Sequence, residues 1–233
     1  MKERERIDLL ATLPVELLYE IQYYAVSGAL PLASQRLYRI FKRAPLIVHA
    51  EYLLGRHIDE PETHCIITHA LCFPLCTPAV LDALLQRPDC TPIPSTPPEL
   101  PRRLFRKLSA SGAEVLPLLR FLYTSPRLPR PPDANSHGGY PLARATLAGA
   151  VPLVRNKRRD LSLVRLLVEP PEPPLEERRA GKRRRLLDRV QVNSWMLKLA
   201  VRCGAQDIAE YLMNEKGCVP DLRTLSFLST VNP

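Results

Sequence analysis

The sequence has few aromatic residues and few glycines. Of its 233 residues, 6% are aromatic, Trp195 is the only tryptophan, and 9 glycines stand against 25 prolines. A core must therefore be built mainly from Leu, Val, Ile and Ala, which favours the packing of helices. Because prolines end helices and stiffen loops, their excess predicts several short helices joined by stiff connections rather than a β-protein with glycine turns.

Long apolar runs are also missing. No stretch of eighteen apolar residues occurs, so no membrane span is expected. The charged start MKERERIDLL is not typical of a secretory signal peptide. We therefore expect an intracellular protein, in the cytoplasm, the nucleus or both, whose cysteines are free thiols in a reducing compartment. These cysteines are Cys65, Cys72, Cys76, Cys90, Cys203 and Cys218.

The common catalytic signatures do not occur in the sequence. It has no nucleophile elbow, phosphate loop or H-E-x-x-H motif, and its acidic residues are scattered rather than paired for acid–base work. His49, His57 and His137 are isolated, which is typical of surface or structural histidines. We expect a chain that is not an enzyme and that needs no cofactor.

One cluster has the residue types of a metal site. It consists of His64, Cys65, His69, Cys72 and Cys76. The last four lie at positions i, i+4, i+7 and i+11, which would align them along one helix. Zinc needs four ligands that converge tetrahedrally, and one straight helix cannot supply them. We therefore interpret these residues as packing residues and expect no metal.

Much of the net charge of +9 lies in one run. Between residues 176 and 189 there are seven basic and three acidic residues. The run can be interpreted as a nuclear-import signal, a phosphate-binding strip or a solvated helix start. No aromatic residue lies within it, so nucleic acid is not an expected partner. The residues of the possible import signal are Arg178, Arg179, Lys182, Arg183, Arg184 and Arg185.

Residues 8–56 have the pattern of three short helices. Pro14 suits the first turn of a helix, and Glu16 lies near the positive end of its dipole. The apolar stripe of this helix consists of Leu17, Leu18, Ile21 and Ala25. A turn is predicted at Gly28, followed by a second helical row at Leu30, Ala33, Leu37 and Phe41. The third helix follows Pro45, carries Leu46, Ala50, Leu53 and Leu54, and stops at Gly55.

The same segment resembles the F-box, a module of cullin-type ubiquitin ligases. The resemblance rests on the opening Leu13-Pro14, on Glu16 and Ile21, and on an L-x-S-x-x-L element at Leu32, Ser34 and Leu37. It implies that the segment binds a Skp-type linker protein and, through it, a cullin. The residues that it implies for this contact are Leu13, Pro14, Glu16, Leu17, Leu18, Ile21, Leu32, Ser34 and Leu37.

A self-similar phrase recurs after residue 60. It reads AVLDALL, LPLLRFL, LSLVRLL and QDIAEYL. The leucines that align among the four phrases are Leu84, Leu122, Leu167 and Leu212, at spacings of 38, 45 and 45 residues. Periods in this range are typical of solenoids of helical pairs.

The helices upstream of these phrases resemble the ankyrin pattern T-P-L-H-x-A-A-x-x-G-H. The matching positions are Pro141, Leu142, Ala145 and Gly149 in one unit, and Leu197, Ala200 and Gly204 in another. The resemblance implies four divergent ankyrin-like helix pairs over residues 61–233, with exposed proline-rich insertions and a C-terminal cap beginning near Val219. The repeat surface would bind a protein substrate whose identity the sequence leaves open.

Together, these patterns predict an all-α protein with an F-box-like three-helix module followed by an ankyrin-like solenoid. The predicted function is that of a substrate-recognition adaptor of a Skp–cullin–F-box type ubiquitin ligase. The alternative is an ankyrin-like interaction scaffold that is not coupled to a ligase and whose first three helices cap the solenoid. Exposure of Leu17 and Ile21 would favour the adaptor, and their burial against the first repeat would favour the cap.

Overall fold

The computed structural model describes residues 9–57, 63–88, 90, 98–109, 112–128, 132, 136–150, 160–169, 194–222 and 224–225. Within these ranges the chain is mostly helical and contains no β-strand, so the prediction of an all-α protein is confirmed there. The chain divides into two compact units, which we call unit 1 (Met1–Ile93) and unit 2 (Pro94–Pro233). The first helix pair that was expected after residue 60 belongs to unit 1.

Unit 1 is built from short helices and one 3-10 turn. The elements are α1 (Leu9–Thr12), α2 (Val15–Ala25), the 3-10 turn Leu30–Leu32, α3 (Gln35–Lys42), α4 (Leu46–Gly55), α5 (Thr63–Ala70) and α6 (Pro78–Leu85). The most extensive packing joins α4 to α6, and α2 also packs on α4. The first and third helices therefore form where the sequence predicts them, after Pro14 and after Pro45.

Helix α2 begins after Pro14, as predicted, but the turn that the sequence predicts at Gly28 begins earlier, at Val26. Pro14 occupies the N-cap position of α2, and its carbonyl accepts the first helical hydrogen bond, from the N–H of Leu18 at 3.2 Å. The helix ends at Ala25 because Val26 adopts a left-handed conformation with φ 46° and donates its N–H to the carbonyl of Gln22. Left-handed closure of a helix usually falls to glycine, which is why the sequence pointed to Gly28 instead of Val26.

The second predicted row is divided into two elements rather than forming one helix. The 3-10 turn ends at Leu32, and Ser34 then takes an extended conformation before α3 begins. The hydroxyl of Ser34 accepts a hydrogen bond from the N–H of Leu37 at 3.2 Å. Ser34 is therefore the N-cap of α3, a role for which serine is strongly preferred.

Two small cores stabilise unit 1. The first consists of Leu18, Leu37 and Phe41, with partly buried apolar neighbours from α1, α2 and α3. The second lies between α4 and α6, whose buried residues are Ala50, Tyr52, Leu53 and Leu54 on α4 and Val80, Leu81, Leu84 and Leu85 on α6. An ion pair between Glu51 and Arg87 adds to the same region.

Unit 2 contains the other three recurring phrases, all on helices. Its elements are the 3-10 turn Arg102–Phe105, α7 (Leu116–Thr124), α8 (Ser136–Gly149), α9 (Ser162–Val168), α10 (194–202), α11 (Gln206–Glu210) and the π-helical turn Tyr211–Glu215. Helix α9 packs on both α7 and α8. The four aligned leucines of the repeat phrases, Leu84, Leu122, Leu167 and Leu212, are all buried.

The start of α8 is irregular and is tied to distant backbone. His137, Gly138 and Gly139 all have positive φ, so the regular helix begins only at the following residues. Further along, the guanidinium of Arg144 donates from Nε to the carbonyl of Phe105 at 3.1 Å and from Nη2 to the carbonyl of Arg106 at 3.0 Å. Arg144 therefore fixes the end of the preceding 3-10 turn against α8.

The segment predicted as a C-terminal cap is described over residues 219–222 and 224–225. Asp221 begins a short helical turn, because its carboxylate accepts hydrogen bonds from the N–H of Thr224 at 2.9 Å and from its hydroxyl at 2.6 Å. Val219, Leu222 and Leu225 are exposed. The terminal caps of repeat arrays usually present a polar outer face, and these exposed side chains do not provide one.

We expect Asp221 to remain ionised in acid where most aspartates are protonated. The hydrogen-bonded Lys198 side chain, whose Nζ lies 2.6 Å from Oδ2, and then the two bonds from Thr224 hold the pKa of Asp221 well below its ordinary value. A lowered pKa contributes stability above the unfolded pKa of about 3.9, and that contribution is lost as pH falls through the folded pKa. Carboxyl chemical shifts in an acid titration measure this directly.

The control for this titration is Lys198→Met, which removes the first of these hydrogen bonds. In this variant the Asp221 carboxyl should titrate at a higher pH than in the wild type. An Asp221 that titrates normally in the wild type would contradict the described ion pair.

Several predicted features lie outside the described residues. They are the possible nuclear-import signal at Arg178, Arg179, Lys182, Arg183, Arg184 and Arg185, and the prolines Pro170, Pro171, Pro173 and Pro174 that follow the third phrase. Of the prolines in the expected insertions, the structure describes Pro88, Pro98, Pro101, Pro126 and Pro132. Pro88 and Pro126 are exposed, as expected, but Pro98, Pro101 and Pro132 are buried, so the expectation of exposed insertions is wrong for these three.

Candidate partner-binding surface

Helix α2 presents an apolar face to solvent. Leu17 is 43% exposed and Tyr24 is 81% exposed, which is high for large apolar side chains on a short helix. With their neighbours they line an open groove of about 540 Å³, which we call the α2 groove. Its lining residues are Leu13, Leu17, Glu20, Ile21, Tyr24 and Ala25.

The opposite face of α2 holds the module together. Leu18 is 0% exposed and packs with Leu37 and Phe41 in the small core of unit 1. Of the residues that the F-box resemblance implied for the linker contact, Leu18 and Leu37 therefore lie in the interior of the module. Their contribution to any contact is to hold the α2 groove in shape.

The remaining implied residues are divided between the groove and its surroundings. Leu13, Leu17 and Ile21 share the α2 groove. Pro14, Glu16 and Leu32 are exposed but do not line it, and the role of Ser34 is to cap α3. The carbonyl of Leu13 accepts a hydrogen bond from Nη2 of Arg36 at 3.4 Å, which ties the start of α2 to α3.

The sequence did not single out Glu20 and Tyr24 as members of this surface. A signal for Tyr24 was present, because it follows Leu17 by seven residues and Ile21 by three, and such spacings place residues on one face of a helix. The aromatic ring extends the groove to the end of α2. Glu20 supplies the only charge among its lining residues.

The cysteine and histidine cluster shows no metal geometry in the part of the chain that the structure describes. No group of three metal-ligating side chains is placed to hold an ion there. Cys72 is exposed and donates its thiol to the carbonyl of Thr68, and Cys76 is buried. The rings of His57 and His69 stack with centroids 4.7 Å apart, which joins the end of α4 to α5. The side chains of His64 and Cys65 lie outside the described residues.

Two thiols, Cys90 and Cys218, are poor nucleophiles. Burial raises the pKa of the Cys90 thiol to about 11, and burial also raises the pKa of Cys218. Because the thiolate is the reactive form, both groups are protonated and inert near neutral pH.

The described helices include none whose length and apolar character would let it cross a bilayer.

No family model, no curated protein and no solved structure matches this chain. A functional assignment therefore depends on the surfaces described above.

Proposed function

We propose that the chain is a substrate-recognition adaptor of a Skp–cullin–F-box type ubiquitin ligase. In this proposal the α2 groove binds the Skp-type linker, and the helical repeats bind a protein substrate. Ubiquitin transfer is performed by other subunits. The observation that carries the proposal is the exposure of Leu17 beside Ile21 on a helix whose opposite face buries Leu18.

Hydrophobic burial supplies a reason for a partner at this groove. Leu17 is exposed and Ile21 is only half-buried, and burying one such side chain completely is worth about 1.5–3 kcal/mol. Aromatic and aliphatic anchors of this kind typically carry the binding energy at protein–protein contacts. The groove therefore has both the shape and the residues of a docking site for an apolar element of the linker.

Helix α3 carries most of the positive charge of the module, whereas the one charged residue of the α2 groove, Glu20, is acidic. Residues 21–50 contain no acidic residue. Helix α3 and its C-cap carry four exposed cations, Arg36, Arg39, Lys42 and Arg43. Charge complementarity of this kind increases the rate of association and selects among partners. We therefore expect the part of the linker that faces α3 to be acidic.

The repeat pattern supports the second half of the proposal. All four phrases lie on helices, and the leucine that they share is buried in each. Stacked helix pairs need such buried positions, because a single pair cannot cover its own apolar face. Repeat surfaces of this type bind proteins over a broad face, which suits a substrate.

The alternative function is an ankyrin-like scaffold that is not coupled to a ligase. The observation that favours it is the packing of α4 on α6. This contact places the first predicted helix pair in the same compact unit as the N-terminal helices, as a capping role would require. The two functions differ in what the α2 groove contacts.

The test is the affinity of the full-length protein for a purified Skp-type linker, compared between the wild type and Ile21→Asp. We expect Ile21→Asp to weaken binding by about 30-fold or more, because it removes an apolar anchor worth about 2 kcal/mol and buries an unpaired charge. Isothermal titration measures the change, and circular dichroism establishes that the variant is folded.

Ile47→Asp is the matched control. Ile47 is half-exposed on α4 and lies outside the groove, and the substitution is chemically identical. It should bind the linker like the wild type. Equal affinity of Ile21→Asp and the wild type would overturn the proposal, and a folded wild type that fails to bind would leave the scaffold as the function.

A further inference from the structure

A second groove lies beside the first, between α2 and α4. It has a volume of about 360 Å³, and we call it the tyrosine groove. Its lining residues are Tyr19, Glu20, Gln22, Tyr23, Tyr24, Val48, Glu51 and Tyr52. Glu20 and Tyr24 form the ridge that it shares with the α2 groove. Four of the eight lining residues of the tyrosine groove are therefore aromatic, in a chain that is otherwise poor in aromatic residues.

Two of the four aromatic rings of the tyrosine groove, those of Tyr23 and Tyr24, are accessible. Tyr23 is 50% exposed, and its ring meets that of Tyr24 edge to face, with the centroids 5.3 Å apart. Tyr52 is buried and accepts a hydrogen bond at its hydroxyl from Arg56. The face of an aromatic ring attracts cations, and a group of rings forms a site for them.

The charges of the tyrosine groove have one sign. Glu20 and Glu51 are its only charged lining residues, and no cation lines it. Glu51 is paired with Arg87. Glu20 is exposed and makes no ion pair within the part of the chain that the structure describes. The negative charge of Glu20 is therefore available to a cationic ligand.

Gln22 adds a hydrogen-bond acceptor without a donor. The side chain is 4% exposed, and its Nε2 donates to the carbonyl of Ser27 at 3.0 Å, which fixes the orientation of the amide. Within the part of the chain that the structure describes, the oxygen Oε1 is buried and accepts no hydrogen bond. A buried acceptor without a donor is unfavourable, so a ligand N–H group that reached this oxygen, after a small movement of the side chains that cover it, would be favoured.

From these features we propose that the tyrosine groove binds the arginine side chain of a basic peptide. Guanidinium is the cation that best matches the lining, because it stacks on aromatic faces and carries five donors for carboxylate and amide oxygens. Its planar face lies against the exposed ring of Tyr23, whose plane is 78° from that of Tyr24, and its N–H groups are directed to Glu20 and to the amide of Gln22. This site does not depend on the ligase proposal, because Ile21 lines only the α2 groove.

The test is an NMR titration of the full-length protein with a short peptide whose only charged group is one central arginine. The matched control peptide carries citrulline at that position, which keeps the shape and removes the charge. We expect the arginine peptide to bind at least about fivefold more tightly, and the difference to shrink at high salt. Equal binding of the citrulline peptide would overturn the proposal, and equal binding of a lysine peptide would overturn the assignment to arginine.

Two variants locate the binding. Tyr23→Ala and Glu20→Gln change exposed side chains of the groove, so the fold is retained, and each should weaken the arginine peptide by about threefold to fivefold. Tyr38→Ala removes a similarly exposed tyrosine on α3, outside the groove, and should leave the affinity unchanged. If Tyr23→Ala binds like the wild type, the site is wrong. Ile21→Asp should retain peptide binding, which separates this result from the linker test.

Discussion

Replacing Leu18 with alanine is expected to lower the free energy of unfolding of unit 1 by about 3 kcal/mol. Leu18 is 0% exposed, and among the described residues it shares its core with two other buried side chains, Leu37 and Phe41. So small a core cannot fill the cavity that the substitution leaves. Denaturation followed by far-ultraviolet circular dichroism measures the loss. The fluorescence of Trp195, the only tryptophan, reports on unit 2 separately.

Leu17→Ala is the control, since it makes the same change one residue earlier. Leu17 is on the exposed face, so its replacement should cost less than about 1 kcal/mol of stability. If the ligase proposal holds, this variant loses affinity for the linker instead. Equal destabilisation by the two variants would mean that α2 does not pack with Leu18 inward.

Replacing Gly112 with alanine is expected to destabilise unit 2 by about 3 kcal/mol. Gly112 has φ +61°, a conformation that costs an L-residue about 1–2 kcal/mol. A Cβ atom there would also lie 2.6 Å from Cδ2 of Leu163, which is buried on α9. Forcing that side chain to move adds about 1–3 kcal/mol. Urea unfolding monitored by Trp195 fluorescence measures the sum.

Gly138→Ala separates the two contributions. Gly138 has a similar φ of +68°, but a Cβ atom there would meet nothing within 4 Å. Its replacement should therefore cost only the backbone part, about 1–2 kcal/mol. The double variant Gly112→Ala with Leu163→Ala should show partial compensation, because the clash is removed. Identical losses for Gly112→Ala and Gly138→Ala would show that the Leu163 contact is unimportant.

The positions of the helices could be predicted from the sequence because local signals determine them. Pro14 and Pro45 mark helix starts, and the four-residue spacing of apolar residues marks their extent. The end of α2 could not be predicted, because a left-handed valine at position 26 has no sequence signal comparable to glycine. The break before α3 was not predicted, because apolar residues continue at helical spacing from Leu30 to Phe41. The hydroxyl of Ser34 caps α3 and so separates this helix from the preceding 3-10 turn.

The candidate sites were predictable only in part. Leu17 and Leu18 are both leucines within one apolar stripe, and the spacing alone does not show which of them faces the core. Gln22 is buried although its side chain is polar, so hydropathy does not predict its place in the interior. The tyrosine groove needed Glu51 and Tyr52, which α4 brings to α2 by tertiary packing. No local pattern near residue 20 indicates a partner some thirty residues further along the chain.

The two hydrogen bonds of Arg144 determine which positions of this contact in unit 2 tolerate substitution. Both of its acceptors are main-chain carbonyls, so position 106 offers the same oxygen whatever side chain it carries. Position 144 has no such freedom, because lysine has a single ammonium group and cannot reproduce the paired Nε and Nη2 geometry. Substitutions are therefore tolerated at one end of this contact and opposed at the other. An arginine that is only partly buried is thus expected to tolerate substitution poorly.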